Sequence, residues 1–320
     1  MGTIHRPDHQ RGRTGRGPGA AARGAWVIAV AVLALFAPPS AGASEAGWAA
    51  AGSLFLPGIG QVANGETAKA AAHFGVYAAS VAAAVYYVEH DDYIEFDDRY
   101  DDDDRIITTN RASERAELFG RAALGTAFYS SYDAYRTRRM QLGNRGYRTP
   151  APPDTLADLA RAPFRGEYLT RWTTLAPLAV AASTLFIPVE DSWVTTTDDT
   201  ITRGEIAAMT FPQQGAVAIG EEAFFRGVVN NSFSHSFGEA WGLAGSSVVF
   251  GLAHSGDGIS AAPLAATVYG AYLGWLHQRN DYRLGESVAI HFWWNVLVSL
   301  SALRYGPEDR TATVGISLPF

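Results

Sequence analysis

Residues 206–229 read IAAMTFPQQGAVAIGEEAFFRGVV. The first fifteen carry no charge, and then Glu221, Glu222 and Arg226 arrive within the same apolar run. A helix needs about 20 mostly apolar residues to cross about 30 Å of hydrocarbon, so the stretch is long enough to span a membrane. Ionisable groups at that depth cost about 2.5 to 3.5 kcal/mol each even on the lenient insertion scale, and they normally face a bundle interior or a wet cavity. Ile206 to Val229 is therefore read as a spanning helix with chemistry on it, not as an inert anchor.

Six further low-charge stretches flank it: Ala68 to Val88, Ala116 to Tyr135, Trp172 to Val189, Ala240 to His254, Ser260 to Leu276 and Ser287 to Leu303. Together they predict an all-α, polytopic membrane helical bundle. Charged residues make up 18% of the chain, below the roughly 25% of soluble globular proteins. Ten of the 32 acidic residues crowd into positions 89–104, which leaves the apolar runs barer still. A soluble all-α protein would need a very large aqueous surface elsewhere to cover them.

The charge balance and composition narrow the function. A net charge of -7 argues against nucleic acid as a partner, since such binders show a basic face. The absence of cysteine rules out a disulfide framework, a thiolate metal site and a cysteine nucleophile. Of the 25 basic residues only Lys69 is lysine, a bias that reads as high-GC coding and hence a bacterial source, with the inner membrane as the expected location.

At the N-terminus, Arg6, Arg11, Arg13, Arg16 and Arg23 precede an apolar run from Ala25 to Ala37, and Ala41-Gly42-Ala43 comes next. This order predicts a secretory signal peptide over residues 1–43, cleaved after Ala43, or the same segment retained as a signal anchor. A first module is expected over 44–148. It contains Pro57-Gly58-Ile59-Gly60-Gln61, two spans and the acidic stretch between them, and it resembles bacterial two-pass membrane modules that carry a P-G-x-G-Q turn. Gly47 to Gly60 is apolar but broken by Pro57-Gly58, so it reads as a short or re-entrant span. Arg136, Arg138, Arg139, Arg145 and Arg148 place the end of the second span in the cytoplasm by the positive-inside rule. With a cleaved signal, that orientation requires the Pro-Gly segment to cross as well. The acidic run is read as a solvated loop, because its contiguous carboxylates lack the alternation of a calcium loop.

A proline-rich linker is expected over 149–159, since proline removes backbone donors and fixes φ. The second module, 160–305, holds three helical pairs, and residues 306–320 form a tail. Glu222 and Arg226 are one turn apart and close enough to pair, while Glu221 points about 100° away on an α-helix. Phe250 and His254 share a face in the same way, as do His291 and Asn295. Each pair alone reads as an ordinary structural contact; on three apolar helices they point to one polar cavity. A free carboxylate beside a neutral imidazole can share the deprotonation of water, the general-base step of hydrolysis. A second imidazole and an amide N–H can donate to the oxygen that becomes negative when a carbonyl is attacked.

The sequence E-E-x-x-x-R, then F-x-x-x-H, then H-x-x-x-N, with Gly270-Ala271-Tyr272-Leu273-Gly274-Trp275 between, resembles the CPBP family of CaaX-protease and bacteriocin-processing intramembrane endopeptidases over residues 170 to 305. The resemblance implies that Glu221 and His254 activate water, that His291 and Asn295 stabilise the oxyanion, and that Glu222, Arg226 and Phe250 support them. It implies no cofactor, with lipid and a membrane-associated peptide or protein substrate as the partners. Two alternatives stand beside it. Glu221, Glu222, His254 and His291 could hold zinc, although H-E-x-x-H is absent. A non-catalytic scaffold could retain the cavity for packing or binding. Ser232, Ser234, Ser236 and His235 lack the G-x-S-x-G turn and read as a polar loop, and His73, His90 and His277 have no partner pattern.

Overall fold

The computed structural model describes residues 41–89, 93, 98–101, 104–143, 154–186, 192–196, 201–254 and 261–304. The expected signal segment 1–43 lies almost wholly outside them, as do His90, the tail 306–320 and the prolines of the expected linker. The architecture is helical. In chain order its elements are α1 Ala41–Phe55, α2 Ile59–Ala63, α3 Thr67–Val88, β1 Asp98–Asp101, β2 Asp104–Thr109, α4 Arg111–Gln141, α5 Leu156–Arg161, α6 Gly166–Leu169 and α7 Trp172–Ser183. They continue with β3 Ser192–Thr196, α8 Arg203–Glu221, a π-helix Glu222–Asn230, α9 Asn231–Phe237, α10 Glu239–Ala253, α11 Ala261–Arg279 and α12 Gly285–Arg304.

Each of the seven expected spans contains a helix, although the one expected over Trp172 to Val189 is helical only to Ser183, and by length and composition α3 is the one described helix that passes as a membrane span on its own. Of the others, α7 and α10 are short, at 12 and 15 residues, and α8 and α12 carry polar groups of the site. Local signals set their starts. Asn110 caps α4 by accepting the Ser113 N–H at 2.9 Å. Thr202 and Glu205 form a capping box at the start of α8, satisfying two backbone donors reciprocally.

The Pro-Gly segment turns back instead of crossing. Glu45 of α1 pairs with Arg138 of α4, Gly58 N–H donates to Ser130 Oγ at 3.1 Å, and Gln141 then donates to the Asn64 carbonyl at 2.8 Å. The chain thus enters beside Arg138, reaches Ser130 about 12 Å along α4 at 1.5 Å per residue, and leaves beside Gln141. That is well short of a membrane's thickness. The motif P-G-x-G-Q makes the turn possible. Gly58 has φ +100°, and a Cβ there would sit 2.6 Å from the Ala70 carbonyl oxygen; at Gly60 it would sit 2.2 Å from that of Ala49. Gln61, fully buried, then donates to the Ser130 carbonyl and to Asp133.

A small sheet joins segments that the sequence left as loops. β1 pairs antiparallel with β2, and β2 pairs parallel with β3 in the register Arg105↔Ser192 to Thr109↔Thr196. Part of the acidic stretch is therefore strand instead of irregular loop. The β-branched runs Ile106-Ile107-Thr108-Thr109 and Val194-Thr195-Thr196 account for it, since such residues favour the pleated conformation.

The two expected modules share one core. Phe128 of α4 stacks on Phe224 at 4.9 Å, and a Cβ on Gly227 would lie 2.4 Å from the Tyr132 ring. Gly125 and Gly220 meet backbone to backbone, so α4 and α8 approach as closely as small residues allow. The described end of the linker is also built in. Asp154 Oδ2 accepts the Leu284 N–H at 2.9 Å at the entry to α12, while Arg136 donates to its carbonyl at 2.7 Å.

These contacts define two ends. One gathers Arg136, Arg138, Arg165, Arg171 and Arg283, which meet Glu45, Asp154, Asp158, Asn280 and Glu286, with Arg279 beside Asn280 in the chain. At the other, Arg111 pairs with Glu205 at 2.7 Å and Arg203 donates to the Leu303 carbonyl at 3.2 Å.

Candidate active site

Glu221 is the last residue of α8, and from Glu222 the backbone changes to π-helical hydrogen bonding for nine residues. Such segments are rare and recur at functional sites, because the wider turn re-aims side chains. Here the two neighbouring carboxylates part company.

Glu222 is fully buried. Its Oε1 lies 2.9 Å from an Arg226 guanidinium nitrogen, the i, i+4 pair that the sequence suggested, and 2.8 Å from Nδ1 of His291 on α12. Arg226 is itself enclosed, with its guanidinium 4.3 Å above the Phe250 ring and donating to the Gly270 carbonyl at 3.3 Å. A buried charge of this kind persists only when paired and hydrogen-bonded.

Glu221 is turned elsewhere. Its Oε2 is buried and accepts no hydrogen bond within the described residues. It stands 3.7 Å from Nε2 of His254 and 3.8 Å from Nε2 of His291. Three segments far apart in sequence therefore bring a carboxylate oxygen and two imidazole nitrogens together. The other nitrogen of each ring is committed. His254 Nδ1 lies 2.8 Å from the Phe250 carbonyl oxygen, which can only accept, so Nδ1 carries the proton and Nε2 presents its lone pair. His291 Nδ1 likewise donates to Glu222. Phe250 lies between the rings, 4.3 Å from His254 and edge-on to His291 at 6.2 Å, with Tyr269 closing the far side of His291 at 5.9 Å.

Asn295 sits one turn beyond His291, and its Nδ2 donates to Gln214 Oε1 at 3.1 Å while its Oδ1 is buried without a hydrogen-bond partner. Gln214 Nε2 in turn donates to Ser299 at 3.4 Å. This second layer was missed from the sequence. Gln213-Gln214, side by side in an otherwise apolar helix, were its visible signal. Tyr269 and the Gly270 carbonyl were missed as well, although they stand at the head of the 270–275 stretch.

An apolar cavity of about 260 Å³ begins one turn from the carboxylates, lined by Phe211, Pro212, Ala218 and Ile219 of α8 and by Val288 and Phe292 of α12. Among the described residues, no group of three or more His, Asp or Glu side chains is arranged to hold a metal ion. The serine cluster lies on α9, not in a loop, and Ser234 donates to Asn230 at 3.0 Å. His277 is buried against the Tyr282 ring, and His73 lies 3.6 Å from Asp133, both away from this site.

No curated protein and no solved structure matches the chain. Residues 205–297, which contain Glu221, His254, His291 and Asn295, match the family model described as type II CAAX prenyl endopeptidase, Rce1-like.

Proposed function

We propose that the C-terminal half is an intramembrane endopeptidase that hydrolyses a peptide bond of a membrane-associated substrate with water activated by Glu221 and His254. The observation that carries this reading is the Glu221 Oε2 atom, buried, unpartnered and nearly equidistant from two imidazole nitrogens. Two acceptors that face each other at 3.7 Å repel unless a donor lies between them. A water molecule there donates one O–H to each, which points its oxygen lone pairs at an incoming carbonyl carbon.

On attack, the water proton passes to the Glu221–His254 pair, and the carbonyl oxygen becomes negative. His291 Nε2 and the Asn295 amide would meet that charge; Gln214 takes only one of the two amide hydrogens, and the second remains for an oxyanion. Because Nδ1–H is given to Glu222, His291 can donate from Nε2 only as imidazolium. The proton held by the Glu–His pair then goes to the leaving amine as the C–N bond breaks.

A lipid setting supports the same reading. Trp172 is 78% exposed, Trp241 73% and Leu264 68%, all on outward faces of helices. Large apolar side chains exposed on several helices suit a lipid surround. The cavity beside the carboxylates suits an apolar group on the substrate.

Comparative membrane proteomics of wild type and Glu221→Gln tests the proposal. Peptides with new termini should vanish in the variant, while expression and melting temperature hold. If Glu221→Gln and His254→Ala both leave the termini unchanged, the cavity serves a scaffold and not a protease.

A further inference from the structure

A second feature, at the basic end and away from the carboxylates, is a groove of about 660 Å³ between the starts of α7 and α12 and the end of α11. Trp172, Thr173, Trp275 and Arg279 line it, with Arg171 and Glu286 along its floor. The floor is internally balanced: Glu286 is 2% exposed, pairs with Arg171 and accepts from Asn280 at 2.7 Å. Arg279 is different. It is exposed, its guanidinium stands 5.2 Å over the Trp275 ring, and no described acid pairs with it.

We propose that this groove binds the phosphodiester headgroup of an anionic phospholipid. Three observations support that occupant. The unmatched charge of the groove is a cation, and phosphate is the planar-fork partner for which guanidinium is suited. Exposed tryptophans flank it, and tryptophan rings settle at headgroup depth, where an apolar body and a polar N–H are both accommodated. Beside the groove lie the apolar outer faces of α7 and α11, where Val180, Leu264 and Val268 stand more than half exposed, so acyl chains can run down the helices from a bound headgroup. A soluble phosphate would use the arginine but leave the aromatic and aliphatic surface unexplained. The proposal rests on the membrane setting and not on the hydrolytic chemistry.

The test uses the full-length protein purified in a neutral detergent and presented with equal phosphatidylglycerol and phosphatidylcholine, with bound lipid counted by native mass spectrometry. Wild type should retain phosphatidylglycerol preferentially, and Arg279→Ala should weaken that retention about fivefold, the effect of one cation near a headgroup surface. Arg279→Lys, which keeps the charge, should restore most of it. Glu221→Gln should bind lipid as wild type does, which separates this site from the catalytic reading. Equal retention by wild type and Arg279→Ala overturns the proposal. So does retention of phosphatidylcholine equal to that of phosphatidylglycerol, or displacement of the lipid by millimolar inorganic phosphate.

Discussion

Nδ1 of His291 and Oε1 of Glu222 lie 2.8 Å apart across 69 positions of sequence. This contact ties α12 to the π-helix and fixes which nitrogen of His291 looks toward Glu221. Glu222 thus holds the ring that faces Glu221, without facing Glu221's free oxygen itself.

Removing it should cost stability before it costs chemistry. Glu222→Ala leaves the Arg226 guanidinium buried without its carboxylate, a loss of about 3 to 5 kcal/mol for a broken buried pair. Glu222→Gln keeps an acceptor for His291 Nδ1 and should lose less. Melting temperatures in detergent should therefore fall in the order wild type, Gln, Ala. An alanine variant that melts with wild type would mean that the pair holds nothing together.

The oxyanion role of Asn295 is open to a graded test. Asn295→Ala removes a donor and should slow cleavage about a hundredfold to a thousandfold, the usual cost of one such group. Gln214→Ala leaves the donor in place but releases it from its anchor, so its effect should be smaller and fall on kcat more than on KM. A Gln214 variant as slow as the Asn295 variant would show that the two residues act as a unit.

A bound ion makes a contrary forecast. If Glu221, His254 and His291 held zinc, purified protein would contain it in stoichiometric amount and lose cleavage on chelation. Under glutamate-driven hydrolysis, activity should survive a zinc chelator. Metal content and chelator sensitivity measured on the same preparation decide between them.

The three helical pairs were legible because each lies within one turn, where spacing alone dictates proximity. Glu222–Arg226 and Phe250–His254 needed no more than that. What the sequence left dark arises between elements. The Glu222–His291 bond, the Gln214–Asn295 bond and the Asp154 contact to Leu284 join residues 69, 81 and 130 positions apart, and no local periodicity records them. The π-helix is hidden for a related reason. Its residues carry no pattern that separates a π-helix from an α-helix, and Phe224, Phe225 and Gly227 pack there against α4. The proline-rich stretch read as a linker between modules because proline interrupts helices, yet Asp154, directly after the last proline, is held by Arg136 on one side and by Leu284 on the other.

That shared core predicts communication between the halves. Gly227→Ala would press a methyl group into the Tyr132 ring, and overpacking of this sort costs about 1 to 3 kcal/mol. It lies five residues beyond Glu222 and touches no reacting group. Cleavage should nevertheless fall with stability, and Tyr132→Leu, which makes room, should recover part of both. An unchanged Gly227→Ala would show that the first half is only attached to the second.

The turn at Pro57–Gly58 makes the orientation testable. Since α1 and α2 enter and leave at the arginine-rich end, the proposed membrane setting puts Glu45, Thr155 and Asn280 on one side, and the positive-inside rule predicts that this side is cytoplasmic. A cleaved leader would deliver Glu45 to the opposite side, so the leader and the arginines cannot both be read at face value. The chain contains no cysteine, which makes single-cysteine labelling clean. Thr155→Cys and Glu205→Cys occupy opposite ends, and an impermeant thiol reagent added to intact cells should reach position 205 and spare 155 until the membrane is opened. Labelling of 155 first would invert the protein, carry the lipid groove to the outer leaflet and restore the cleaved leader.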